Sequence, residues 1–286
     1  MGSLGGDITA TFVNPAGLAF YRTGDLTISP IYRFGNNKST YLDRTENRKD
    51  NNFSFGTTGF VLGSGSTQRG RNAAFSIAFN RSGNFNNNIL YRGANNKSSY
   101  SQKFLEEVGT EGDANVVASS FPYGSSLAFN TFWIDTVGGS TNGNFDFQSR
   151  SANLLSTGLL QEQKVQSWGG INEFALGFGV SSNDKLMLGG TLGIPVLNYK
   201  RESTFTEADA TSNANNKFDF ATFSEELTTK GVGLNLKAGM IYKPVEFVRL
   251  GLAFHSPTIY SLTDQYIYSV SADVENGMGL QTQSSQ

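Results

Sequence analysis

Val232, Leu234, Leu236, Ala238, Met240 and Tyr242 alternate with Gly233, Asn235, Lys237, Gly239 and Ile241. After the short connection Lys243-Pro244-Val245-Glu246, Val248, Leu250, Leu252 and Phe254 alternate with Arg249, Gly251, Ala253 and His255. Side chains of a strand point to opposite faces in turn. The pattern therefore describes two adjoining strands with one apolar face and one small, polar or basic face. The apolar face has two possible destinations, the core of a soluble sandwich or lipid. Strand length, recurring aromatics and the glycine-rich second face favour lipid, since a strand crossing a bilayer needs about 9–11 residues.

A chain of 286 residues suits one large all-β domain. A net charge of −2 leaves no strongly basic face, so nucleic acid is not expected as a partner. The mean hydropathy of −0.29 does not oppose a barrel, because a barrel places its apolar residues at every second position. No apolar run approaches the length of a helical membrane span. The absence of cysteine removes disulfides and thiolate zinc sites. Met1-Gly2-Ser3-Leu4-Gly5-Gly6 lacks the basic start and apolar stretch of an export signal, and Gly279 to Gln286 is too polar for a finished barrel strand. The expectation is a piece of a longer barrel, with the signal and the closing strands outside it.

Residues 1–24 do not alternate. They are small and Gly-rich, centred on Asn14-Pro15-Ala16-Gly17, and read as a compact turn-rich segment. From residue 25 onward, strands are expected at Leu26 to Phe34, Phe53 to Leu62 and Ala73 to Asn80, with Pro30 forcing an edge, bulge or kink. Asn36 to Asn52 reads as a long charged loop, and Gly63-Ser64-Gly65-Ser66 as a flexible turn. Residues 92–165 form a long insertion. Phe104, Leu105 and Val108, and again Leu154, Leu155, Leu159 and Leu160, sit at helical spacing, and aromatics are frequent between them, so this insertion should fold and pack. Alternation resumes after Trp168, turns at Ser182-Asn183-Asp184-Lys185, and is expected to close at Tyr199 before a polar excursion from Glu202 to Lys217. Tyr260, Tyr266 and Tyr268 belong to the last strands. The reading totals about eight or nine strands, with short turns alternating with long polar loops, as in an outer-membrane barrel.

Asn14-Pro15-Ala16-Gly17 near the start, inside Asp7 to Val13 and onward, resembles the FadL/TodX family of outer-membrane transporters of hydrophobic compounds. Ile241-Tyr242-Lys243-Pro244, and Leu250 through His255-Ser256-Pro257, look like that family's recurring hairpin. Glu173 to Pro195 is similar to the form common in Bacteroidetes. The resemblance covers nearly the whole chain. It implies a transmembrane antiparallel β-barrel of fourteen strands, with an N-terminal plug or hatch ending in residues 1–24 and the barrel wall in residues 25–286. It implies the outer membrane of a Gram-negative bacterium, contact with membrane lipid and lipopolysaccharide, and a monomer when full length. In the family, a lipophilic substrate lands on a groove in long outer loops, passes inward, and leaves sideways through a gap in the wall after the hatch shifts. Asn14, Pro15, Ala16 and Gly17 are then the expected gate.

Enzymatic chemistry is not expected. His255 is the single histidine, and Ser256 falls on the other face of the strand, so no nucleophile–base dyad forms there. No cofactor or metal site is legible. Lys237 and Arg249, with His255 beside them, face the inner side and are candidates to meet a substrate carboxylate; the plainer expectation is an internal salt bridge. Phe121, Tyr123, Phe129, Phe132 and Trp133 are candidates for an apolar landing surface, or for packing the insertion onto the rim. Two functions follow: passive uptake of hydrophobic molecules such as long-chain fatty acids or aromatic hydrocarbons, and a transport-free barrel that docks components of a protein secretion system. The first requires a continuous apolar path inward, the second an apolar patch on the outer loop surface.

Overall fold

In the computed structural model, the alternating segments run well beyond the residues that announce them. The structure describes residues 2–65, 71–141, 144–211, 213, 215–275, 277 and 279–285. The chain opens with a short helix, α1 (Ala10–Val13), and a 3-10 turn, Pro15–Phe20. A long first hairpin follows, built from β1 (Gly24–Thr27), β2 (Pro30–Arg33), β3 (Asn36–Tyr41), β4 (Arg44–Lys49), β5 (Asn52–Phe55) and β6 (Thr58–Gly65). Next come β7 (Asn72–Asn84) and β8 (Asn87–Asn95), and then an insertion with α2 (Gln102–Val108), α3 (Ala114–Ser120), α4 (Ser125–Asn130), β9 (Ile134–Thr141) and β10 (Asn144–Ser149). The remainder is β11 (Leu159–Ser182), β12 (Leu186–Asp209), β13 (Phe220–Val245), β14 (Val248–His255), β15 (Ile259–Asp273) and β16 (Gln281–Ser284).

The fold is all-β, dominated by one antiparallel sheet in the order β1-β6-β7-β11-β12-β13-β15-β16. β8 continues the path of β7 along β11, and β14 precedes β15 along β13, so ten strands fill eight positions. Among the described residues β1 and β16 have one neighbour each, and the sheet is open. β11 and β12 pair without a break from Leu159 opposite Asp209 to Ser182 opposite Leu186. Asn183 and Asp184 close that hairpin at φ 55° and 53°, the doubly left-handed turn that Asn and Asp tolerate and that matches strand twist. Pro257 lies where the register shifts between His255 opposite Lys237 and Ile259 opposite Leu234, a bulge that needs no donor from it.

Several expectations change. The charged loop at Asn36 to Asn52 is an ordered continuation of the first hairpin, with Asn36 opposite Lys49 and Tyr41 opposite Arg44. Pro30 does interrupt the strand, and Gly56 N donates to Ser29 O (2.8 Å) across the break. Gly63 to Gly65 lie in β6, and Ser66 lies outside the described residues. Leu159 and Leu160 open β11 instead of extending a helix, so that strand begins well before Trp168. Tyr199 is in mid-strand, and the polar excursion from Glu202 is strand as far as Asp209. Along β11 and β12, polar residues mask strand whose pairing partners lie on β8 and β13.

The two faces differ. Outward, paired positions form apolar rows across the sheet, such as Leu26, Phe60, Ile77, Leu176, Leu192 and Leu236. Adjacent rows carry Phe75, Phe178 and Phe254, then Val180, Leu188, Met240 and Leu252. Most of these side chains are exposed. The belt spans about nine residues, roughly 30 Å along a strand. Beyond it, the same face turns polar at Asn172, Asn198 and Lys200. Inward, residues 2–21 cover one end of the sheet, and the insertion covers the other through a core containing Phe104, Trp133, Phe223 and Val270.

The first hairpin meets the body of the sheet in two ways. β6 pairs with β7 from Thr58 opposite Phe79 downward. Farther along, side chains replace the ladder. Arg33 donates to Asn86 O (2.5 Å), Asn37 Nδ2 to Asn88 O (2.8 Å) and Ser39 Oγ to Leu90 O.

Candidate functional site

The N-terminal segment lies on a furrow made by absent side chains. Gly63, Ala74, Gly179, Gly189, Gly239 and Ala253 are consecutive register partners across six strands, and all six face inward. Only Gly and Ala leave room for backbone to approach a sheet this closely. A Cβ on Gly179 would meet Ala19 N at 2.7 Å. One on Gly189 would overlap the Pro15 carbonyl, and one on Gly239 would overlap Asn14 Oδ1. Pro15, Ala16, Gly17, Leu18 and Ala19 are buried there.

Asn14 fixes the segment from within. Its side-chain Oδ1 accepts from Ala16 N (3.1 Å), capping the 3-10 turn, while Nδ2 faces the carbonyls of Gly2 (2.6 Å), Met240 (3.4 Å) and Leu252 (3.4 Å). Pro15 opens the 3-10 turn, where its missing N–H costs nothing. The other inner-face candidates converge on the same segment. His255 Nε2 lies 2.9 Å from Val13 O, the Arg249 guanidinium sits 5.0 Å from the Phe20 ring centre, and the Lys237 ammonium 5.6 Å from that of Phe12. A pocket of about 200 Å³ opens on the free side of the segment, lined by Leu4, Ala10, Val13 and Asn14 among others.

Lys237 is not a free cation. It pairs with Glu173 and donates to Asn235 Oδ1 (3.1 Å), and both charged side chains are nearly buried. The plainer of the two expectations holds for Lys237, and its charge is already compensated. Sequence reasoning missed Glu173 as its partner, because the two residues are 64 apart and only the pairing of β11, β12 and β13 brings them together.

The insertion aromatics divide. Trp133 is 0% exposed and donates through Nε1 to Ser151 Oγ (2.8 Å), so it is core and offers no landing surface. Phe121, Phe129 and Phe132 pack against that core and are partly buried. Tyr123 is 59% exposed. Beneath the aromatics lies a polar cluster that sequence reasoning also missed. Glu207, fully buried, accepts from Ser99 Oγ, Tyr100 N and Gln161 Nε2, each at 2.6 Å. Ser99, Ser101, Ser149 and Ser151 bond to one another beside it. Burial pushes the Glu207 carboxyl above the usual range, against the opposing pull of its donors. Glu207 lies at the far end of β12, away from the apolar belt. Its only sequence signal, a lone Glu in an apparent loop, carries no such meaning.

Among the described residues no group of His, Asp and Glu is arranged to hold a metal ion, and no helix is long and apolar enough to cross a membrane. Comparison with protein-family models, with curated proteins and with solved structures gave no match. The functional reading therefore rests on the geometry of the chain itself.

Proposed function

We propose that this chain is the plug-bearing part of an outer-membrane β-barrel of FadL/TodX type that passes hydrophobic molecules across the outer membrane of a Gram-negative bacterium. The observation that carries the reading is the coincidence of two layers at one height. Outside is a continuous apolar belt about as deep as a bilayer core, and inside it is the glycine furrow on which residues 2–21 rest. In this reading the belt faces lipid, the segment is the hatch, and the side-chain stitching between the first hairpin and β8 is the weak line of the wall. Passage is favoured over docking by the direction of the insertion's aromatics. Phe104 and Trp133 of the insertion turn inward onto Phe223 of β13 and leave little apolar surface outside.

The experiment is uptake of a labelled long-chain fatty acid by cells lacking competing transporters, with surface levels of the full-length protein matched. Asn14→Ala and Pro15→Ala loosen the hatch and should change uptake several-fold. Tyr123→Ala should weaken capture at low substrate concentration. Uptake that stays at the wild-type level in all three, or that does not depend on the protein at all, rejects the transporter.

A further inference from the structure

The stitched line between the first hairpin and β7–β8 encloses a cleft of about 530 Å³, a size typical of small-molecule sites. The lining includes Arg33, Phe34, Asp50, Asn86, Asn87 and Tyr199. Arg33 and Asp50 pair, so the cleft carries no net charge, which disfavours both an anion and a cation as its occupant. Part of its polar capacity is spent within the chain, as where Asn37 Nδ2 donates to Asn88 O (2.8 Å) and Ser167 Oγ to Phe85 O (2.6 Å). Arg33 Nε is buried without a partner. Asn86 uses Oδ1 to accept from Gly169 N (3.0 Å), and Asn87 uses Oδ1 for Asn37 Nδ2 (2.7 Å). The amide nitrogens of both have no partner among the described residues. Asn87 is exposed and Asn86 half-buried, so both amides are open to donate to a hydrogen-bonding ligand in the cleft.

Two aromatic rings frame these groups. Phe34 is 80% exposed, and Tyr199 is held edge-on to Phe85, with ring centres 5.3 Å apart. A ring face carries negative charge density and attracts polarised C–H bonds. A neutral molecule with hydroxyl pairs on its edge and C–H groups on its face meets both demands. We infer that this cleft is a binding site for a neutral saccharide, gripped by the Asn86 and Asn87 amides and Arg33 and stacked on Phe34 or Tyr199. The inference does not depend on what the protein transports. The sugar can be a free oligosaccharide or the saccharide part of lipopolysaccharide, since Ser167 and Tyr199 lie beyond the apolar belt on their strands.

The test is saturation-transfer NMR on the full-length protein in lipid nanodiscs, free of maltoside detergent. The two probes are maltose and the neutral outer-core hexose oligosaccharide of lipopolysaccharide, freed of Kdo and phosphate. Transfer to the sugar C–H protons is expected from the wild type, from both probes for a free sugar and from the core alone for lipopolysaccharide. Phe34→Ala, at an exposed ring, and Asn87→Ala, which removes one acceptor for Asn37 Nδ2 but keeps the bonds of Arg33, Asn37 and Ser39 to the carbonyls of Asn86, Asn88 and Leu90, should each weaken binding by about fivefold. No transfer to either probe, or equal transfer from wild type and both variants, overturns the proposal.

Discussion

Asn14 shows how much one side chain can decide. A single amide nitrogen faces three carbonyl oxygens while its oxygen caps a 3-10 turn, all with Asn14 nearly fully buried. Asn14→Ala leaves those groups unmet and should cost about 1–3 kcal/mol. Asn14→Asp sets a carboxylate against three carbonyls and should cost about 3–5 kcal/mol at neutral pH, easing in acid as the carboxyl takes up a proton. Hydrogen exchange of residues 10–20 reads both. Equal protection in the two variants would contradict the assigned bonds. Glu207 makes a different prediction. Its carboxyl is raised above the ordinary value of 4.5, so the folded protein holds a proton that the unfolded chain has released. Its contribution is full below that ordinary value and is lost as pH rises through the raised one. Glu207→Gln should flatten this slope and tighten the insertion at pH 7, seen as slower proteolysis of residues 96–158. A variant that loosens with the same pH profile as wild type would refute it. The Asn14 motif was legible from its neighbours in sequence. Glu207 was not, because nothing local distinguishes a buried carboxylate from a solvated one.

At the scale of elements, the strands from Glu173 to Ile194 and from Val232 to Phe254 were readable, since both faces follow a period of two. Their continuations were not. β11 from Leu159 to Trp168 and β12 beyond Tyr199 carry polar and charged residues on both faces and are held as strands by pairing with β8 and β13. The furrow was half visible: the glycines could be seen on one face, but their alignment into a single row depends on register between six strands. Gly189→Val or Gly239→Val should push the N-terminal segment off its seat at a cost of about 1–3 kcal/mol. Gly190→Ala, next door but outward, is crowded by the movable end of the Phe178 side chain, with the Lys237 carbonyl at an ordinary 3.7 Å, and should be tolerated. Exchange protection of residues 14–19 distinguishes them, and equal loss in all three would mean that the seat is not steric.

At the scale of the molecule, the outer face and the inner face pose opposite demands on the same strands, and substitution should reveal the difference. Leu236→Arg, in the middle of the apolar belt, should cost about 2–4 kcal/mol in folding measured in bilayers. Thr228→Arg, outward on the same strand but beside Lys200 beyond the belt, should cost little. Equal penalties would sink the reading of the belt as a lipid contact. The furrow also bears on the order in which the molecule comes together. Its floor is drawn from Gly63 at one side to Ala253 at the other, so it does not exist until six strands have met in the correct alignment. Sliding any strand by one residue turns its other face inward and puts Phe178, Leu188 or Met240 where a glycine belongs. The segment at residues 2–21 is thus among the last to settle, and its settling is a proofreading step: it docks only on a sheet assembled without error.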